Sequence, residues 1–213
     1  MEKITDKYTL ALRDEIRDRD KNSDIIQNNL YKIGMKIGEK IVEKYFLTNS
    51  NIFTPTNEVF VGNVPQYKQV VVVSTLDDYE FFGKGVSDVF PVVNRGSIDF
   101  GGVRGLDALT SPLRSITLPE VNDVDTLIIA KSVMASGCTA ITLTRRAMEK
   151  YWPNRVIIAT VYYSIQGYQE VIGVCKTADI FVIGEPELLR SDGMLIPGIG
   201  DLDKRLKGIS DNL

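Results

Sequence analysis

Thr126-Leu-Ile-Ile-Ala130, followed by Lys131-Ser-Val-Met-Ala-Ser-Gly-Cys138 and then by Ala140, Leu143, Ala147 and Tyr151 at helical spacing, is the passage from which the architecture can be read. The first run has no polar alternation, so it predicts a strand covered on both faces. Lys131 to Cys138 predicts the connecting loop, and the stripe predicts a helix that ends before Pro153. Working outward, Gln69 to Ser74, Val156 to Tyr163 and Asp179 to Gly184 predict further buried strands, with helices expected over 78–90 and 167–174. Strands alternating with helices imply an α/β fold with a parallel sheet and right-handed crossovers.

Nearer the N-terminus, Ile26, Leu30, Ile33, Ile37 and Ile41 make one apolar face of an amphipathic helix over 24–46, with Ser23 as its N-cap. Gly34 and Gly38 lie one turn apart on it and permit close packing of another backbone. Residues 48–68 are polar and rich in turn formers, which predicts irregular chain. The stretch Val92 to Pro119 carries Gly96, Gly101, Gly102 and Gly105 and predicts a hairpin or mobile flap.

Composition narrows the chemistry. The 213 residues hold 25 Lys and Arg against 28 Asp and Glu and no histidine, with hydrophobic residues at 44%. A Ser-His-Asp triad, a Cys-His pair and a His-ligated zinc are thereby excluded, leaving carboxylates, hydroxyls, cations and backbone dipoles for any catalysis. Interspersed charges give no footprint for nucleic acid. No apolar run approaches the roughly 18 residues of a membrane span. The N-terminal stretch is charged throughout and lacks the apolar core of a signal peptide, so Cys138 and Cys175 are expected as free thiols in the cytoplasm.

In open parallel sheets ligands sit beyond the carboxyl ends of the strands, which directs attention to Met134-Ala-Ser-Gly-Cys-Thr139. Ala135, Ser136 and Gly137 can turn successive N–H groups toward a phosphate. Ser136 and Thr139 add hydroxyls, and the following helix contributes its positive end. The alternative is plain turning and capping. Gly193-Met-Leu-Ile-Pro-Gly-Ile-Gly-Asp201 places three glycines and a proline within nine residues. Its exposed backbone donors and acceptors suit the edge of a flat heterocycle, whereas an ordinary surface loop is the alternative.

These segments resemble a family. Ser132-Val-Met-Ala-Ser-Gly-Cys-Thr139 is similar to the Asp-Pro-Met-Leu-Ala-Thr-Gly-Gly-Ser/Thr signature of uracil phosphoribosyltransferases, with Lys131 at the Asp position. Met194-Leu-Ile-Pro-Gly-Ile-Gly-Asp201 resembles their Tyr-Ile-Ile-Pro-Gly-Leu-Gly-Asp, and Leu12-Arg13-Asp14, Tyr31-Lys-Ile-Gly34 and Val73-Ser-Thr-Leu76 match further along. The resemblance implies one type I phosphoribosyltransferase domain over 1–213, a parallel sheet flanked by helices with an N-terminal helix and a glycine-rich flap. It also implies transfer from phosphoribosyl diphosphate to uracil with magnesium, giving UMP and diphosphate, in a homodimer or higher homo-oligomer. Ala135, Ser136, Gly137, Cys138 and Thr139 would hold the 5′-phosphate. Leu195 and Gly200 would offer backbone contacts to uracil, and Leu202 stands where the family has Ala. Asp201 would lie close to both substrates, Arg104 in the flap would touch the diphosphate, and Lys131 takes the place of the acid that serves the ribose hydroxyls.

Two departures invert charge. The family's Leu-Arg-Ala-Gly loop, which grips the leaving group, is Leu76-Asp-Asp-Tyr79 here, and Lys131 replaces an acid. The pairing predicts a salt bridge between Asp77 and Lys131 inside the substrate site. Three functions follow as expectations: an active transferase, a nucleotide-binding protein without catalysis, or a partner subunit assembling through the N-terminal helix and its Gly34/Gly38 face.

Overall fold

The computed structural model describes residues 1–209. In chain order its elements are β1 (Glu2–Ile4), α1 (Lys7–Arg17), α2 (Ser23–Tyr45), β2 (Leu47–Phe53), β3 (Val59–Pro65) and β4 (Val70–Thr75). A bent helical stretch follows, made of α3 (Leu76–Asp78), a π-type turn (Tyr79–Gly83) and α4 (Lys84–Ser87). Then come β5 (Val93–Asp99), a 3-10 turn (Gly105–Leu109), β6 (Ser115–Thr117), β7 (Thr126–Ala130), β8 (Val133–Met134) and α5 (Cys138–Lys150). The chain closes with β9 (Arg155–Thr160), β10 (Tyr162–Tyr163), α6 (Ile165–Val174), β11 (Asp179–Ile183), β12 (Leu188–Leu189), β13 (Leu195–Ile196) and α7 (Leu202–Leu206).

Seven strands form the central sheet in the order β1-β11-β9-β7-β4-β5-β6, parallel throughout except for the β5–β6 pair. This is the α/β architecture expected from the sequence. Alternate residues of one strand serve opposite layers: Val70 and Val72 pack with Ile26, Leu30, Ile33, Ile37 and Ile41 of α2, whereas Val71 and Val73 pack with Leu143 and Ala147 of α5. Each fully buried Ile, Leu or Val removes apolar surface worth about 1.5–3 kcal/mol from water, so the absence of polar alternation is the direct signature of a sheet covered on both sides.

The structure corrects several local expectations. Residues 48–68 are mainly the β2–β3 hairpin, registered from Leu47 opposite Pro65 to Phe53 opposite Val59. Its strands leave Phe53, Val59, Phe60 and Val61 exposed and contain no fully buried residue, so they lack the buried apolar run by which a strand is normally read. Helix α2 is capped by Asn22, whose side chain accepts from the Ile25 N–H, and Ser23 is the first helical residue. The helical stretch after β4 starts at Leu76, two residues earlier than expected. Val92 to Pro119 does form a hairpin, β5 with β6, around a long glycine-bearing loop. Gly34 is consumed inside the chain: a Cβ there would lie 2.5 Å from the Phe82 carbonyl oxygen. That face packs against the 76–87 stretch and is not free for a partner. Among the described residues no helix is long and apolar enough to cross a membrane.

Candidate functional site

A cleft of about 980 Å³ opens at the carboxyl ends of β4 and β7. Thr75 and Asp77 bound one side, Lys131, Val133, Ser136 and Thr139 form the floor, the loop from Gly102 to Asp107 covers it, and Leu195, Ile199, Gly200, Leu202 and Asp203 stand opposite. Parallel topology produces this placement, because every strand-to-helix loop emerges at the same edge.

The floor is shaped by close backbone packing. Gly137 caps α5 in the left-handed region, at φ 82°, and a Cβ on it would lie 2.7 Å from the Gly167 carbonyl oxygen. The Ser164 hydroxyl donates to the Ala135 carbonyl at 2.6 Å and accepts the Gly167 N–H at 2.8 Å, so the N-cap of α6 also ties down the loop. The first helical bond of α5 runs from the Ile141 N–H to the Gly137 carbonyl. The N–H groups of Cys138, Thr139 and Ala140 therefore precede the helical ladder, and such an end favours negative charge. Ser136 and Thr139 line the cleft, Ala135 sits at half-exposed backbone behind them, and Gly137 and Cys138 are buried. Tyr162 and Tyr163 are both buried, their hydroxyls donating to the Arg13 and Gly184 carbonyls, and so offer no face to a ligand.

The C-terminal segment is clamped from behind. Gly198, at φ 67°, has no room for a Cβ, which would meet the Leu195 carbonyl oxygen at 2.1 Å. Its N–H donates to Glu187 Oε2 at 2.8 Å and its carbonyl accepts from Arg17 Nη1 at 3.1 Å. Glu187 Oε1 in turn accepts from Arg13 at 3.0 Å and Arg17 at 2.6 Å. Arg205 donates to the carbonyls of Ile16, Asp18 and Ile199. No sequence motif announced Glu187, Arg17 or Arg205, because the bonds of Arg17 to Glu187 and Gly198 and of Arg205 to Ile16 join residues 170 to 189 positions apart in the chain.

Charge in the cleft is internally balanced. Lys131 Nζ lies 2.6 Å from Asp78 Oδ2, with side chains 13% and 2% exposed. The same oxygen accepts from the Thr75 hydroxyl at 2.9 Å. The expected partner, Asp77, instead faces Lys207 at 3.2 Å. Because α3 begins at Leu76, Asp78 occupies the third helical position and turns inward. Burial works against the Lys131 ammonium, but Asp78, with Asp203 and Asp77 beyond it, raises its pKa above the ordinary lysine value. Arg104 reaches from the flap to Asp201 Oδ1 at 2.9 Å and also contacts Asp203. Burial pushes the Asp201 carboxyl up, yet Arg104 and the Lys204 N–H hold it below the usual carboxylate range. At Asp203 burial prevails over Lys131 and Arg104, and the carboxyl is raised. Asp201 caps α7, accepting from the Lys204 N–H at 3.3 Å.

The sheet order and the cleft at the carboxyl ends of its strands define an α/β protein with a mainly parallel central sheet flanked by helices. The uracil phosphoribosyltransferase family model matches residues 5–208, and the chain belongs to that family. Among curated relatives, uracil phosphoribosyltransferase of Natronomonas pharaonis is 26% identical over 208 residues, covering 95% of this chain and 92% of the relative. That of Thermococcus sibiricus is 25% identical, covering 94% and 86%. The AQ2163 protein from Aquifex aeolicus shares the fold, with a TM-score of 0.81 at 20% identity over 98% of each chain.

Proposed function

We propose that this uracil phosphoribosyltransferase-like chain holds a uridine nucleotide with a single phosphate, such as UMP, in the cleft and does not engage the diphosphate donor. The 5′-phosphate is received by Ser136, Thr139 and the N–H groups at the start of α5, and uracil by the backbone around Leu195 and Gly200. Family membership supports the ligand class. The observation that carries the distinction is electrostatic: the three cations lining the cleft, Arg104, Lys131 and Arg190, are each paired with a carboxylate of the chain itself. Four carboxylates line the same cleft, namely Asp77, Asp107, Asp192 and Asp203. A monophosphate needs little beyond the backbone donors. A diphosphate brings several charges to the place where Asp77 and Asp78 stand.

Magnesium, implied by the family, does not fit a protein-held site here. Asp78 is committed to Lys131 and Thr75, Asp77 faces Lys207, and no cluster of three metal-ligating side chains occurs among the described residues. The ion would enter only with its diphosphate.

Calorimetric titration tests the reading. UMP is expected to bind in the micromolar range, and phosphoribosyl diphosphate with magnesium at least about 100-fold more weakly. Steady conversion of labelled uracil to UMP would overturn the non-catalytic assignment, and binding of neither ligand would overturn the nucleotide assignment altogether.

A further inference from the structure

Glu187 is a carboxylate with 3% of its side chain exposed, and two arginines share one of its oxygens. Such burial of charge is costly unless every partner is in place. Its second oxygen is not spent on a cation but on the N–H of Gly198, while Arg17 turns back to the Gly198 carbonyl. Both polar atoms of one peptide-flanked glycine are thus held by one ion pair, on the side away from the cleft. The next carbonyl, of Ile199, is taken by Arg205. Ile199 and Gly200 line the cleft directly after these clamped groups. The Glu187 N–H also donates to the Tyr163 carbonyl, next to Ser164, the residue that secures the phosphate loop through Ala135. One short connection therefore joins the two halves of the site.

We propose that Glu187 and Arg17 are a positioning pair for base recognition, setting where the backbone groups around Gly200 meet the edge of the heterocycle and hence which pyrimidine is accepted. The assignment rests on the nucleotide reading given above. Neither residue touches the ligand. Both act through Gly198. A site that reads a base through fixed backbone donors and acceptors discriminates strongly, because a mismatched edge leaves buried groups unpaired. Loosening the anchor removes that discrimination before it removes phosphate binding.

The experiment uses the full chain and three probes: UMP, CMP and ribose 5-phosphate, which carries no base. In Arg17→Gln, which loses the guanidinium bonds to Glu187 and the Gly198 carbonyl, and in Glu187→Gln, UMP is expected to bind about 10- to 100-fold more weakly. The preference between UMP and CMP is expected to shrink toward unity, and ribose 5-phosphate to stay within about 2-fold of wild type. Arg17→Gln keeps the Arg13–Glu187 pair, so it remains informative if Glu187→Gln does not fold. Arg17→Lys, which restores a donor, is expected to recover part of the preference. Parallel weakening of all three probes would reveal a merely structural role and overturn the assignment, as would variants that bind like wild type. Wild-type protein that binds neither UMP nor ribose 5-phosphate overturns the nucleotide reading, and the positioning role with it.

Discussion

Asp77 should control whether the diphosphate donor can bind, and the size of the effect follows from its surroundings. Its side chain is about one third exposed and lies 3.2 Å from Lys207. Two unit charges roughly 5 Å apart interact by about 3 kcal/mol at an effective dielectric of 20 and by under about 1 kcal/mol in bulk water. For a partly exposed group an intermediate value of about 2 kcal/mol per unit charge is reasonable. Asp77→Asn removes one unit of repulsion and releases Lys207 toward the cleft, so the donor should bind about 30-fold more tightly. Asp77→Arg adds a second unit of charge in the same direction and should reach roughly 1,000-fold. UMP should change by less than about 3-fold, because its phosphate is expected on backbone N–H groups and hydroxyls away from Asp77. Calorimetry with phosphoribosyl diphosphate and magnesium, repeated from low to high salt, checks both size and origin. The gains must shrink as salt rises. Donor affinity that is equal in all three proteins, or a wild type that binds the donor as tightly as UMP, would refute the electrostatic argument.

Gly137→Ala places a Cβ 2.7 Å from the Gly167 carbonyl oxygen at a left-handed φ. It is expected to cost at least about 2 kcal/mol and to abolish UMP binding, measured by denaturant unfolding and titration. Lys131→Met leaves Asp78 buried without its ammonium and should cost about 3–5 kcal/mol, whereas Lys131→Met with Asp78→Asn should recover most of it, because the amide can still accept from Thr75. The double-mutant cycle in denaturant midpoints reads the coupling. Burial, aided by Glu120, raises the pKa of the Tyr151 phenol to about 12, and its hydroxyl donates to the Pro119 carbonyl. The unfolded phenol ionises near 10 while the native one keeps its proton, so this contribution is whole below about pH 10 and is lost as pH rises toward 12. Unfolding free energy should fall less steeply over that window in Tyr151→Phe than in wild type.

The two-sided burial of β4, β7, β9 and β11 was legible because it acts on consecutive residues, and the loop before α5 was legible because small residues cluster where a parallel sheet delivers its ligands. Helix α1 was not, since its polar length hides a short apolar face of Leu12 and Ile16 packed into the core. The β2–β3 hairpin was missed for the opposite reason. It buries little, so no hydrophobic pattern constrains it. Lys131 does form a salt bridge, but with Asp78 and not the neighbouring Asp77, because a helix starting at Leu76 decides which of two adjacent carboxylates turns inward. A helix rotates about 100° per residue, so neighbouring positions cannot substitute for one another. Glu187 was invisible for a deeper reason: its partners Arg13, Arg17 and Gly198 are brought to it only by the completed fold.

The charges at positions 77, 78 and 131 also bear on how the cleft would receive the proposed nucleotide. The parts that shape the floor of the cleft are backbone groups, two glycines in contact and the Ser164 hydroxyl, none of which depends on the charge at positions 77 or 131. The cations, by contrast, have internal partners, with Lys131 on Asp78 and Arg104 on Asp201 and Asp203. An incoming anion must compete with those carboxylates at close range, whereas a neutral heterocycle docking at Gly200 competes with none of them. Affinity in such a cleft rises with base recognition and falls with each added ligand charge. Ligands should therefore rank as uridine monophosphate above its diphosphate and triphosphate, and the ranking should flatten as salt screens the carboxylates. A family member with an unpaired arginine in place of Asp77 should show the reverse order.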